Sequence, residues 1–168
     1  MKAENSVLIK NIYYMLAYAY KALRRDGFEK VAAESFDNIH DLFAAILIKG
    51  IEYQIKQGLT KEYVKSCRLQ KTLRGKIDIA GTVGQMTKRS KQLSCVYGVL
   101  TEDNLFNRIL KSAVILLLNH GEVKHENKIA LKKLLPLLSN VCDIKPLEIN
   151  WSLLSYRKGN ASYQMLIY

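Results

Sequence analysis

The period of the hydrophobic pattern changes twice along the chain, and this constrains the fold more than any other feature. Over residues 9–25 apolar side chains recur at helical intervals, with Ile12, Met15, Leu16 and Ala19 on one face. Lys21, Arg24 and Arg25 close that stretch, and Asp26-Gly27 is a stop signal where a helix should end. A second helix is predicted over residues 39–57, capped by Asp37 or Asn38, striped by Leu42, Ala45, Ile46 and Tyr53, and ended by Gly58. Lys49 and Gly50 interrupt its stripe. Together the two segments predict an antiparallel helical pair.

Between residues 63 and 100 the period drops to two. Residues 63–70 alternate apolar and polar as a half-buried strand does, residues 73–79 repeat the alternation, and residues 92–100 supply a third strand. A short helix over residues 80–88 fits between the second and third, although Gly81 and Gly84 weaken it. From Glu102 the helical period returns. Leu105, Phe106, Ile109, Leu110, Ala113, Val114, Leu116 and Leu117 form a broad apolar face, expected to be the most deeply buried helix. Thr101 or Asp103 would cap it and Gly121 would end it. Ile129, Leu131, Leu134, Leu135 and Leu138 carry a further helix, followed after Pro146 by an extended piece through Trp151, a turn over residues 156–160 and an apolar stretch from Ser162. The expected fold is α+β, with long helices at both ends around a small, mainly antiparallel strand region. No internal repeat or low-complexity linker interrupts it.

Composition then bounds function. The 168 residues allow one domain or two small ones, and 26 Lys and Arg against 15 Asp and Glu leave a net charge of +11. That balance calls for an anionic partner, nucleic acid first and acidic protein or membrane surface second. No apolar run approaches the roughly 20 residues of a membrane span. Lys10 and Asn11 break the N-terminal apolar stretch, so no signal peptide is expected and the compartment should be cytoplasmic. Cys67, Cys95 and Cys142 lack CxxC spacing, and His40, His120 and His125 offer no HxxxH pair. Neither a disulfide framework nor a metal site is therefore predicted, and the histidines read as surface or capping groups.

Enzymatic templates fail as well. GxxxxGK[ST], GxGxxG and GxSxG are all absent. Two fragments approach the carboxylate-and-lysine pattern of a metal nuclease: Asp103 with Glu122-Val123-Lys124, and Asp143-Ile144-Lys145 in a plausible strand. The first is split between a helix start and a polar turn, and the second lacks an upstream Asp. A degenerate metal site at Asp143 and Lys145 is the weakest alternative, and no catalytic residue or cofactor is predicted in the chain.

Basic clusters remain. Lys56, Lys61, Lys65, Arg68, Lys71, Arg74 and Lys76 form one, and Lys88, Arg89 and Lys91 another. Lys65, Arg68, Lys71, Lys88, Arg89 and Lys91 are the candidate nucleic-acid contacts, with a solvated basic face as the equal alternative. Tyr13, Tyr14, Tyr18 and Tyr20 lie in an apolar helix and fit core or interface better than base stacking. The most distinctive segment is Leu73-Arg74-Gly75-Lys76-Ile77-Asp78, where glycine between two cations permits a turn or a close backbone approach. Such a tip can engage a partner, or it can be an ordinary hairpin stem carrying exposed charges.

Three segments, taken in order, resemble the McrC family, the subunit that partners the GTPase McrB in modification-dependent restriction. Residues 9–20 are similar to that family's first helix. Residues 73–78 resemble its Gly-Arg/Lys-Ile-Asp/Glu segment, and residues 100–111 its Asn-Glu-Asp…Asn-Arg-Ile-Lys helix start. The resemblance spans the whole chain but only the first half of the family's usual length. It implies that residues 1–168 are an N-terminal partner-docking region, with the C-terminal PD-(D/E)xK nuclease domain absent. The chain would then be an engineered fragment, a truncated product or a separately encoded half, consistent with Leu166-Ile167-Tyr168 reading as an element cut part-way. It further implies an McrB-like AAA+ GTPase ring as partner, modified double-stranded DNA reached through the complex, GTP bound by the partner, and Mg²⁺ only in the missing nuclease half. Arg74, Lys76 and Asp78 match the segment expected to approach the ring, where a cation can position water or stabilise charge on the transferred phosphate. The family often has Arg where this chain has Lys76, which keeps the charge but not the bidentate fork. Asp103, Asn104, Asn107 and Arg108 match the third segment, with capping and polar fixation of a helix as their expected duty. The alternative is a stand-alone basic nucleic-acid-binding module that needs no GTPase.

Overall fold

A computed structural model of the chain describes residues 2–19, 36, 38–86, 91–156 and 161–167. The expected stop at Asp26-Gly27 and the caps or contacts at Asp37, Lys88 and Arg89 lie outside these residues. The chain divides into two compact units: residues 1–60 with 103–168, and residues 61–102 inserted between them in sequence.

The first unit is helical. Its described helices are α1 (Lys2–Ala19), α2 (Ile39–Gln57), α4 (Leu105–Asn119), α5 (His125–Leu134) and α6 (Ala161–Ile167), and the short α3 (Ile79–Met86) lies in the insert. Helix α2 starts where Asn38 Oδ1 accepts the Asp41 N–H at 2.8 Å, satisfying one of the donors that a helix start leaves open. It stops at Gly58, whose φ of 86° no β-carbon residue adopts cheaply.

Helix α2 is apolar nearly all round and lies at the centre of the unit. Leu42, Ala45 and Ile46 pack with Ile9 and Tyr13 of α1 and with Phe36. Ala44, Leu47, Ile48 and Ile51 pack with Phe106, Leu110 and Val114 of α4, Leu131 and Leu134 of α5, and Tyr163 of α6. The most buried helix is thus α2, not α4 as its broader apolar face suggested, because α2 is covered on two sides. The interruption at Gly50 has the same cause. A β-carbon there would strike the Leu166 side chain, so the glycine lets α6 approach α2 closely.

Elsewhere the helix ends shift. Helix α4 is capped by Asn104, whose Oδ1 accepts the Asn107 N–H at 3.1 Å, and it ends at His120, one residue before Gly121. Asp103, one of the two expected caps, is instead taken up by Arg108. The piece after Pro146 is not extended. It forms two 3-10 turns, Pro146–Glu148 and Trp151–Leu153, the first started by a proline and the second by the Asn150 side chain. Among the described residues no helix is long and apolar enough to cross a membrane.

The inserted unit carries the strands. β1 (Glu62–Gln70) and β3 (Leu93–Thr101) pair antiparallel along their whole length, from Glu62 opposite Thr101 to Gln70 opposite Leu93. β2 (Lys76–Ile77) joins the other edge of β3, giving the order β1-β3-β2. Helix α3 (Ile79–Met86) follows β2 and packs against β3. The expected α+β fold is observed, with the strand predicted over residues 73–79 reduced to Lys76–Ile77.

Candidate partner-docking site

The segment 73–78 forms the turn that brings β2 onto β3. Gly75 has φ +73°, and a β-carbon there would meet the Val96 carbonyl oxygen and approach Tyr97 Cβ to 2.8 Å. Glycine is therefore needed both for the left-handed backbone and for the close approach. Beside it, the Arg74 guanidinium lies over the Tyr97 ring at 4.4 Å from the centroid, a cation–π contact. Gln70 Nε2 donates to the hydroxyl of the same ring, 3.2 Å from Tyr97 Oη. Arg74 is thus steered by an aromatic plane while its side chain remains exposed, and Lys76, two residues on, is exposed as well.

Asp78 closes the segment by starting α3. Its Oδ1 accepts the Gly81 N–H at 3.2 Å, and its Oδ2 accepts the Ser94 hydroxyl at 3.0 Å. The Gly81 N–H first, and then the Ser94 hydroxyl, hold its carboxyl below the ordinary carboxylate range against a smaller desolvation cost. The Asp78 N–H donates to the Ser94 carbonyl at 2.8 Å, and Thr82 Oγ1 donates to the Asp78 carbonyl at 2.7 Å. Every polar group of Asp78 is turned into the unit, so its geometry is that of a positioning residue that fixes β2 and α3 on β3.

Strand register sorts the basic candidates. Lys65 lies opposite Gly98 and Lys76 opposite Val96, and because alternate residues share a face, these two cations project from the same side of the sheet. Arg68, opposite Cys95, projects from the other side with Arg74 and Tyr97. Lys71 and Lys91 are exposed in the loops, and Lys61 pairs with Glu102 at 3.2 Å. The structure therefore places Lys65 and Lys76 on one face of the sheet, on either side of β3, and Arg68 on the opposite face. Few side chains are buried in this unit: among its described residues only Thr82, Ser94 and Cys95. Tyr63, Leu73 and Ile79 are 77%, 61% and 74% exposed.

The third sequence segment has the structural duty expected of it. Arg108 donates from Nε to Asp103 Oδ1 and from Nη2 to Asp103 Oδ2, each at 2.7 Å. Arg108 holds the Asp103 carboxyl well below the ordinary range, with a further N–H from Cys142. Asn104 Nδ2 and Asn107 Nδ2 donate to the Thr60 carbonyl at 2.7 and 3.0 Å. The nuclease-like fragments do not converge. Asp143 lies outside any strand and pairs with Lys111 at 2.8 Å, while Asp103 faces Arg108. What the sequence missed is a meeting of His40 with His120 and Glu122, which lie about 80 residues apart in the chain and share no spacing motif.

Comparison with known proteins assigns the family. The family model described as "McrBC 5-methylcytosine restriction system component" matches residues 2–168. The chain is 25% identical over 159 residues to the "Type IV methyl-directed restriction enzyme EcoKMcrBC" of Escherichia coli strain K12, covering 95% of this chain and 46% of that protein. Its fold is similar to a chain in the cryo-EM structure of the Thermococcus gammatolerans McrBC complex, with a TM-score of 0.71, 20% identity, and coverage of 96% of this chain and 49% of that one. A second similar chain belongs to a half-complex of Thermococcus gammatolerans McrB AAA+ hexamers with bound McrC, with a TM-score of 0.62, 22% identity, and coverage of 77% and 31%. The chain spans about half the length of the curated relative it matches. With a match over residues 2–168 and the three McrC-like segments in order, this chain belongs to the family of McrBC 5-methylcytosine restriction system components.

Proposed function

We propose that the chain is the partner-docking part of an McrC-like subunit and that its inserted unit engages and stimulates an McrB-like AAA+ GTPase ring. The observation that carries this reading is how little is buried among the described residues of the inserted unit. A three-stranded sheet backed by one short helix, with Tyr63, Leu73 and Ile79 exposed, gains cover and stability from a partner surface. Arg74 and Lys76 are the contact residues, the first preset by Tyr97, and Asp78 holds their strand in place. Likeness to a chain of an McrBC complex and to a chain of an assembly of McrB AAA+ hexamers with bound McrC supports the choice of partner. In this reading GTP belongs to the ring, Mg²⁺ to a nuclease half outside this chain, and modified double-stranded DNA is reached through the complex in the cytoplasm.

The test is GTP hydrolysis by the cognate McrB-like protein with and without this chain. Stimulation is expected, and Lys76→Ala and Arg74→Ala should lower it by about tenfold or more if they act on developing phosphate charge. Unchanged stimulation by both variants would move the contact elsewhere, and absence of both stimulation and co-elution would overturn the docking role. The basic nucleic-acid-binding reading is favoured by one observation, Lys65 and Lys76 on a common sheet face. It predicts DNA binding without any GTPase whose affinity falls steeply with salt.

A further inference from the structure

Three side chains that are remote in sequence meet at one end of the helical unit. His40 lies in the first turn of α2, His120 caps the end of α4, and Glu122 follows in the turn before α5. The two imidazoles stack with centroids 3.8 Å apart at 29°. His40 Nε2 is 3.5 Å from Glu122 Oε2, and one donor atom from each of the three residues falls within 4.8 Å of the others. We infer that His40, His120 and Glu122 form a binding site for a divalent transition-metal ion of the Zn²⁺ class.

The donor set selects the ion. Two imidazole nitrogens and one carboxylate oxygen suit Zn²⁺ and its neighbours, whereas Mg²⁺ and Ca²⁺ take shells of oxygen. Three protein ligands leave a fourth position for water, the arrangement of an open zinc site. With bonds of about 2.0–2.1 Å, two ligand atoms on a tetrahedral ion lie about 3.3 Å apart. The His40–Glu122 pair is already near that separation, and binding requires the two stacked rings to rotate apart so that both nitrogen lone pairs point at the ion. His40 and Glu122 are 34% and 65% exposed at their side chains, so they can rotate and an ion can reach them. The Glu122 N–H to His120 Nδ1 contact, 3.3 Å and exposed, is weak enough for coordination to replace it.

The frame beneath the ligands is rigid. Asn38 Nδ2 donates to the Glu122 carbonyl at 2.8 Å. The fully buried Asp41 accepts the Lys124 N–H at 2.7 Å and Asn127 Nδ2 at 3.2 Å. Residues on both sides of His40 thus grip the loop around Glu122, so the ligands are brought together before any ion binds. An ion here ties the start of α2 to the α4–α5 turn. The inference concerns the helical unit and does not rest on the proposed function.

The experiment is metal titration of the chain carrying Cys67→Ser and Cys142→Ser, which removes the exposed thiols as competitors. ZnCl₂ should bind at one ion per chain and raise the thermal midpoint, EDTA should reverse the rise, and MgCl₂ should have no effect. CoCl₂ should give the visible bands of a four-coordinate site. His40→Ala and His120→Ala should each weaken Zn²⁺ binding more than the about 10–100-fold that losing an outer-shell partner costs. His125→Ala should leave it unchanged. Circular dichroism verifies that the variants are folded, and the Co²⁺ spectrum needs no histidine variant. No saturable Zn²⁺ binding, no Co²⁺ bands, or binding that persists in the His40→Ala/His120→Ala double variant would each overturn the site.

Discussion

Asp103 is held by two charge-assisted hydrogen bonds from Arg108 and one N–H from Cys142, and this makes its ionisation part of the fold. Its folded carboxyl lies well below the ordinary range, Arg108 being the main cause. Above about pH 5 the carboxyl is ionised both folded and unfolded, and its full contribution to stability is present. As the pH falls, the unfolded chain takes up the proton first, so the contribution shrinks towards the lower folded value. The pair is partly solvated, with side chains 37% and 21% exposed, so screening limits its worth to about 1 kcal/mol. Asp103→Asn should therefore be about 1 kcal/mol less stable at neutral pH, with the two stability curves converging in acid. Urea unfolding across pH 2–7 measures this, and parallel curves would show that the carboxylate charge contributes nothing.

Two glycines separate a local conformational demand from a packing demand at the scale of elements. Both have positive φ, +86° at Gly58 and +73° at Gly75, but only Gly75 has neighbours where a β-carbon would go. Gly58→Ala should cost about 1–3 kcal/mol, the penalty of a β-carbon residue held at φ 86° and ψ 130°. Gly75→Ala adds a collision with Val96 and Tyr97 and should cost about 2–3 kcal/mol, lifting β2 from β3. Hydrogen exchange in β3 reports the difference: faster exchange is expected in Gly75→Ala and near-native exchange in Gly58→Ala. The sequence showed Gly75 between two cations but not what lies across the sheet. Element type was legible because the periods of 3.6 and 2 are local, and α2 begins and ends where its cap signals place it. The burial of α2, the Asn104 cap and the His40–His120–Glu122 meeting depend on which residues pack across the fold, and no single window of sequence contains that information. Arg74, Lys76 and Asp78 were legible as one segment, whereas the inward duty of Asp78 rests on Ser94, which the sequence places on another strand.

For the whole molecule, the decisive relation is that the insert leaves and returns at one place in the helical unit. The Thr60 carbonyl accepts from both Asn104 and Asn107, and the Thr60 N–H donates to the Tyr163 hydroxyl at 3.0 Å. That hydroxyl in turn donates to Asn107 Oδ1 at 2.9 Å, so the chain on both sides of the insert is tied into the helical core. At the other side of the junction, Glu62 pairs with Thr101, so the insert also begins and ends side by side. Such a junction can be closed with little loop-entropy cost. Replacing residues 61–102 by a short Gly/Ser linker should leave the helical unit folded, with native far-ultraviolet dichroism and a cooperative thermal transition. Residues 61–102 alone should stay unfolded, because a sheet whose described buried residues are Thr82, Ser94 and Cys95 has too little apolar burial to offset its chain entropy. If the insert carries the docking function, the shortened chain loses GTPase stimulation while keeping its fold. Retained stimulation would instead place the contact on the helical unit, where Tyr14, Met15 and Tyr18 leave an exposed apolar face on α1.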